Sequence, residues 1–364
     1  MFETRGEGLP FSLELEALIR AEPSRTQILQ IEAEHESILD FRGQLKILVI
    51  FTHHELYDYY KDMLDMKAVG GESDTAWVPL GISTRGWSAG EPNELSRVVW
   101  ENLHAGVSLI ECRPPSGAFR VLRRILALHP SWRPQLALTW DGELSWVPSQ
   151  HISRLLRSGL TYLGLERYNL CYLPEPRNPR IFAAQARAMA REVAAGRVEH
   201  VGVAVQNLEQ LERALGAFAE LGLPIFAVRR PYNLLDRTSE VDGTLAACHS
   251  AGVRFFAQHA LAGGLLTGRY GPRHPRPGLA RLWDQKLMTQ SEPLLEALRQ
   301  IAFVRSKAPA QVALNWVSSK DATPVVGTRT PAQARQNLGS LGWRLSPEEI
   351  ATLDRISAQI YAES

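Results

Sequence analysis

From Val78 onward, short apolar runs alternate with longer stretches whose apolar residues recur every three or four positions, the pattern of strands interleaved with amphipathic helices. The runs Val78–Ser83, Val107–Glu111, Leu136–Thr139, Tyr168–Tyr172, His200–Ala204, Pro224–Val228, Val253–Ala257 and Thr323–Val326 predict eight strands. Between them, Glu94–His104 sets Leu95, Val98, Val99 and Leu103 on one helical face. Leu208–Leu221 does the same with Leu208, Leu211, Leu215 and Phe218, and Asn207 is placed to cap it. Thr330-Pro331-Ala332-Gln333 and Ser346-Pro347-Glu348-Glu349 each offer an N-cap, a proline at the first helical position and a Gln or Glu at the third. Eight β–α units over roughly 280 residues predict an α/β chain closed into a (β/α)8 TIM barrel. A doubly wound sheet is the alternative on pattern alone, but Ile82 to Gly90 carries no GxGxxG turn after the first strand.

The first 75 residues have a different texture. Leu13–Arg20 and Thr26–Asp40 read as helical, and Val69-Gly70-Gly71-Glu72-Ser73 reads as a linker. The division predicted is a mostly helical extension over 1–75 and a barrel over 76–364. The extension is a poor fit to a self-contained core, which casts it as a docking arm for other protein subunits.

Composition narrows the picture by exclusion. The chain of 364 residues is 45% apolar and 22% charged, enough for a large core, and its net charge of +1 points to neither nucleic acid nor an acidic membrane as a partner. Lys and Arg are scattered along the sequence. The longest apolar run, Leu45 to Phe51, falls far short of the ~20 residues that span a bilayer, so no membrane insertion is expected. Glu3, Glu7, Glu14, Glu16 and Glu22 suit neither a secretory signal nor a transit peptide. Cys112, Cys171 and Cys248 lack CxxC or His-spaced partners and read as buried thiols of a reducing compartment, the cytoplasm or an organellar matrix. His53-His54 has no third ligand at a suitable spacing, so no metal is expected.

Several segments, in order, resemble the aldo/keto reductase family. Arg230-Pro231-Tyr232-Asn233-Leu234-Leu235-Asp236-Arg237 is similar to its sixth-strand segment, and the stretch from Phe255 through Gly268 to its seventh-strand loop. Ala313-Leu314-Asn315-Trp316-Val317 resembles the helix that follows. Val325-Val326-Gly327-Thr328-Arg329, with Gln333, Gln336 and Asn337 beyond, resembles the eighth-strand cofactor loop. The first half aligns more faintly, through Leu80–Thr84 and Gly106–Glu111. The resemblance covers about residues 77–358 and leaves the extension without a counterpart.

Members of that family pass a hydride from a nicotinamide to a carbonyl carbon while a tyrosine protonates the oxyanion. A lysine lowers the tyrosine pKa, a carboxylate holds the lysine, and a histidine orients the carbonyl. At the positions that match, this chain has Glu111 for the carboxylate, Ser116 for the tyrosine, Trp140 for the lysine and Pro174 for the histidine. Serine is a poorer and shorter proton donor than a phenol, tryptophan carries no charge, and proline offers no side-chain hydrogen bond. The residues that present the nicotinamide are changed as well: Ala204-Val205 replace Ser-Asn, Arg229 replaces Gln, and Gln258 replaces the stacking Tyr. Glu111 is expected to pair with Arg113 or another cation at the barrel mouth.

The resemblance leaves a place for the other end of NADP. Gly263, Gly264, Leu265 and Gly268 offer backbone amides, and Gly327, Thr328, Arg329, Gln333, Gln336 and Asn337 form the loop and helix where Arg329 is a candidate partner for a 2′-phosphate. The reading favoured is an aldo/keto reductase-like pseudoenzyme acting as a structural or regulatory subunit. An NADP(H)-dependent oxidoreductase reducing carbonyl compounds at a rearranged site, and a non-catalytic NADP(H) sensor, are its alternatives.

Overall fold

The apolar runs close into a ring. In a computed structural model of the chain, which describes residues 79–87, 92–114, 116–139, 148–174, 178–270 and 285–362, eight parallel strands pair in sequence order, the last with the first. They are β1 (Gly81–Ser83), β2 (Leu109–Cys112), β3 (Gln135–Leu138), β4 (Tyr168–Pro174), β5 (Val198–Ala204), β6 (Ala227–Pro231), β7 (Arg254–Gln258) and β8 (Ala322–Gly327). Closure is carried by the register Gly81 to Val325, Ile82 to Val326 and Ser83 to Gly327. The predicted extension over 1–75, the start of the first predicted strand at Val78, and Trp140 lie outside the described residues.

Helices cover the outside: α1 (Pro92–His104), α2 (Gly117–Leu128), α3 (Ser149–Leu163), α4 (Pro179–Ala194), α5 (Leu208–Ala219), α6 (Thr238–Val241), α7 (Thr244–Ser250), α8 (Gln285–Gln290), α9 (Glu292–Val304), α10 (Pro309–Ser319), α11 (Pro331–Leu338) and α12 (Pro347–Ala362). Among the described residues, no helix is long and apolar enough to cross a membrane, and no group of three or more His, Cys, Asp or Glu stands together to hold a metal ion.

The apolar strands follow from having two covered faces. Outward residues such as Ile110, Leu138, Cys171 and Leu173 join the helices in the large core. Inward, Leu109, Ala137, Leu170, Tyr172, Ala227, Phe256 and Val325 form a separate cluster that fills the lumen. Capping chemistry matches the sequence at three helices. Asn207 Oδ1 accepts from Gln210 N at 2.9 Å, Thr330 Oγ1 from Gln333 N at 3.3 Å, and Ser346 Oγ from Glu349 N at 3.3 Å.

Strand boundaries differ most at β6, which begins at Ala227 rather than Pro224. Pro224 has no N–H to give a ladder, and the first strand-like bond on this segment is Phe226 N to Val201 O at 2.8 Å. Val107 is likewise not in β2, because its N–H donates to Asn102 O at the end of α1.

Candidate active site at the barrel mouth

Alternation along β2 and β6 turns Glu111 and Arg229 into the lumen, above Leu109 and Ala227 respectively. Both are buried, at 5% and 8% exposure. Two opposite charges on inward positions of an apolar tube must find each other or remain unsolvated and unpaired. They meet: Arg229 Nε donates to Glu111 Oε1 at 2.5 Å and Nη2 to Oε2 at 3.3 Å. Gln258 of β7, with its carboxamide oxygen turned to the guanidinium, accepts from Arg229 Nε at 2.6 Å. The cation expected beside Glu111 is therefore Arg229 and not Arg113, which is exposed.

Tyr172 lies beside this pair, with the Arg229 guanidinium carbon 6.0 Å from its ring centroid and the Phe256 ring edge-on at 6.4 Å. A Cβ built on Gly202 would stand 2.5 Å and 2.7 Å from Tyr172 Cδ1 and Cε1, so the ring occupies the space that a side chain on β5 would take. Burial, with Glu111 adding to it, pushes the Tyr172 phenol well above its ordinary range, and Arg229 offsets this only in part. This is the reverse of an activated acid, whose phenol is brought down by an adjacent ammonium. The chain has no lysine between Lys67 and Lys286, and among the described residues no ammonium is placed beside this phenol. Of the later ones, Lys320 pairs with Asp354 at 2.7 Å and Lys307 lies over Trp343.

Of the other positions matched to the family's catalytic residues, Ser116 and Pro174 are described and have structural places. Ser116 is the N-cap of α2, its hydroxyl accepting from Phe119 N at 3.2 Å. Pro174 closes β4 opposite Ala204. Ala204 presents only a methyl group, and Val205 is buried in the outer core. At Arg229, the position that resembles the family's carboxamide partner, the guanidinium is already engaged by Glu111 and Gln258, so these side chains do not fit a nicotinamide.

The eighth-strand loop is better preserved, but several of its side chains are engaged within the fold. Thr328 is wholly buried, its carbonyl accepting from Trp87 Nε1 at 2.7 Å and its hydroxyl from Asn337 Nδ2 at 3.1 Å. Gln333 Oε1 accepts from Arg329 N at 2.8 Å, and the carbonyl of exposed Gln336 accepts from Gln311 Nε2 at 2.7 Å. Arg329 and Gly327 are exposed. The Arg329 stem lies over Gly86, where φ is +91° and a Cβ would stand 2.9 Å from Arg329 Cδ. After β7, a 3-10 turn over Ala262–Thr267 places Gly263, Gly264 and Gly268 at φ of 63°, 107° and 68° while Leu265 enters the core. Those glycines are required by the turn itself.

Sequence reasoning identifies Arg229 and Glu111 separately and places Tyr172 only at the end of the fourth predicted strand. The missed signal was parity: Glu111 lies two residues from lumen-facing Leu109, and Arg229 two from Ala227, so both charges point to one place.

Comparison with known proteins agrees with the barrel. The aldo/keto reductase family model matches residues 140–358, a span that holds Pro174, Arg229 and Gln258 but begins after Glu111 and Ser116. The chain is 31% identical over 159 residues to the chloroplastic pyridoxal reductase of Arabidopsis thaliana, spanning 44% of each protein. It is 26% identical over 266 residues to L-glyceraldehyde 3-phosphate reductase of Escherichia coli (strain K12), covering 66% of this chain and 76% of that one. The solved glycerol dehydrogenase of Gluconobacter oxydans superposes with a TM-score of 0.69 at 24% identity, over 79% of this chain and 93% of that one. A thermostable aldo-keto reductase solved with the inhibitor epalrestat gives 0.62 at 22% identity, over 79% and 97%. At these identities the two structures speak for the fold alone.

Proposed function

The chain belongs to the aldo/keto reductase family, and we infer that within it this barrel is a non-catalytic member acting as a structural or regulatory subunit. The observation that carries the reading is the buried Glu111–Arg229 pair, held by Gln258, at the end of the lumen where a hydride would have to be delivered. Carbonyl reduction needs a donor that gives up its proton as negative charge develops on the substrate oxygen. Here the carboxylate is bound to a guanidinium, the nearby phenol is held protonated by burial, and Ser116 caps a helix. In this reading the segment 1–75 is the arm through which other subunits are held.

Quenching of protein fluorescence by NADPH, and a carbonyl panel containing pyridoxal and glyceraldehyde 3-phosphate followed at the nicotinamide absorbance, test it. Neither quenching nor turnover is expected. Turnover that disappears in Glu111→Gln would replace the reading with carbonyl reduction at a rearranged site, a second reading favoured by the relatives' names. Quenching without turnover would make the protein a cofactor sensor, for which exposed Arg329 is the anchor. Recovery of binding partners that is unchanged on deletion of 1–75 would remove the arm.

A further inference from the structure

Arginines that are scattered in sequence are gathered by the fold. The neighbouring wall helices α2, α3 and α4 carry eight arginines and one carboxylate. On α2, Arg120, Arg123 and Arg124 share one exposed face at the i, i+3, i+4 spacing. On α3, Arg154 and Arg157 are exposed, and on α4 so are Arg180, Arg187 and Arg191. Arg123 lies over the Tyr162 ring of α3 at 4.7 Å, and Arg157 reaches Glu192 of α4 at 3.5 Å, so the three stripes stand side by side. Glu192 is itself buried and holds Arg197 at 2.5 Å. Among the described residues, no carboxylate comes within ion-pair range of the arginines of α2, of Arg154, or of those of α4.

Other wall helices carry matched cations: on α9, Arg299 pairs with both Glu292 and Glu296 at 3.1 Å. The near-neutral total conceals the difference, because residues 1–78 hold 15 carboxylates against 7 lysines and arginines, whereas residues 79–364 hold 24 against 33. Like charges at helical spacing oppose helix formation, so such a face is unfavourable to the isolated fold.

We propose that the outer face of α2, α3 and α4 is a docking surface for a carboxylate-rich segment of a partner protein. Neighbouring helices lie ~10 Å apart, and residues seven apart on one helix ~10.5 Å, giving a two-dimensional array of forked donors at a spacing that several carboxylates on one partner can meet. Every cation on these helices is Arg rather than Lys. Arginine binds carboxylates bidentately, is weakly hydrated, and is enriched at protein interfaces where lysine is depleted. A nucleic acid is less well served. The face is a convex helical wall, and its aromatic rings are engaged, Tyr162 with Arg123 and with Phe119 at 5.7 Å, and Trp132 with His129 at 3.8 Å. A lipid surface asks for apolar side chains that enter the acyl boundary, and among the described residues of these helices the large apolar side chain strongly exposed is Leu128, at the end of α2.

The test is binding of fluorescent poly-L-glutamate to the full chain, with a DNA duplex and phosphatidylserine vesicles as parallel arms. Poly-L-glutamate binds, and more weakly as salt rises from about 0.05 to about 0.15 M. The triple reversal Arg123→Glu/Arg154→Glu/Arg187→Glu lowers its affinity at least ~tenfold, while Arg344→Glu/Arg355→Glu, at exposed positions before and on α12, changes it less than ~twofold. The milder Arg123→Gln/Arg154→Gln/Arg187→Gln gives an intermediate loss and serves if the reversal unfolds the protein. No binding by the unaltered chain, equal loss from both reversals, or tighter binding of duplex or vesicles overturns the proposal.

Discussion

Arg229 and Glu111 stand on strands four apart in a ring of eight, so the bond from Nε to Oε1 at 2.5 Å runs from wall to opposite wall. Each residue explains the other: a lone carboxylate or guanidinium in this lumen would be stripped of water with nothing in exchange. The register sets Phe256 of β7 directly beside Arg229, so the charged pair borders the apolar cluster of the lumen.

Removing one member should therefore harm the fold more than removing both. Arg229→Met alone is expected to cost ~3–5 kcal/mol in urea unfolding, and the double variant Glu111→Leu/Arg229→Met to recover most of that loss. Singles that add without coupling would mean that the two side chains do not bond.

Gly202→Ala places a methyl group against the Tyr172 ring and is expected to cost ~1–3 kcal/mol by overpacking. Tyr172→Val in the same chain should relieve it, since the obstructing ring is gone. If the alanine variant melts with the parent, the ring lies elsewhere.

Ser116→Ala should lose ~1 kcal/mol of stability, the usual cost of an N-cap, and Ser116→Asp should keep it. A change in any carbonyl turnover that Asp fails to restore would give Ser116 a chemical role instead.

Acid should weaken the fold in two stages. Burial lowers the pKa of His129, and burial with Arg254 and Arg167 lowers that of His200 against the pull of Glu199. The folded state thus prefers both imidazoles neutral, and stability is lost as pH falls through about 6.5 toward the lowered values. The second stage belongs to carboxylates. Hydrogen bonds from Arg305 lower Glu349, and Asp242 is lowered by Thr244 and Arg230 although burial acts in the other direction. Their contribution is present above the ordinary carboxylate range and disappears as pH falls through the folded values, below about 4. Urea midpoints followed across these windows check both stages. His200→Phe keeps an aromatic stack on Phe226 and should reduce the first stage alone.

Much of the barrel was legible because its signals are local. The caps at Asn207, Thr330 and Ser346 involve partners three residues away, and the strands are apolar because both faces are covered. Strand ends were less so: at β6, sequence supplied Pro224 to Phe226 as apolar residues, but only pairing with Val201 shows where the ladder begins. The site was legible as a set of replacements and not as an arrangement. Glu111 and Arg229 are 118 positions apart, and nothing short of the ring's closure brings them together. The arginine face was hidden for the same reason, its members spread from Arg120 to Arg191 and cancelled in the total by acids of the first 78 residues.

The lysine-free interval from 68 to 285 contains β1 through β7 and every helix from α1 to α7. A lysine-specific protease would release that interval as one fragment, and amine-directed dyes and cross-linkers would mark the chain only on either side of it. Dicarbonyl reagents that modify guanidinium groups are the labels suited to this protein, with Arg229 shielded in the lumen and the arginines of α2 to α4 open to attack.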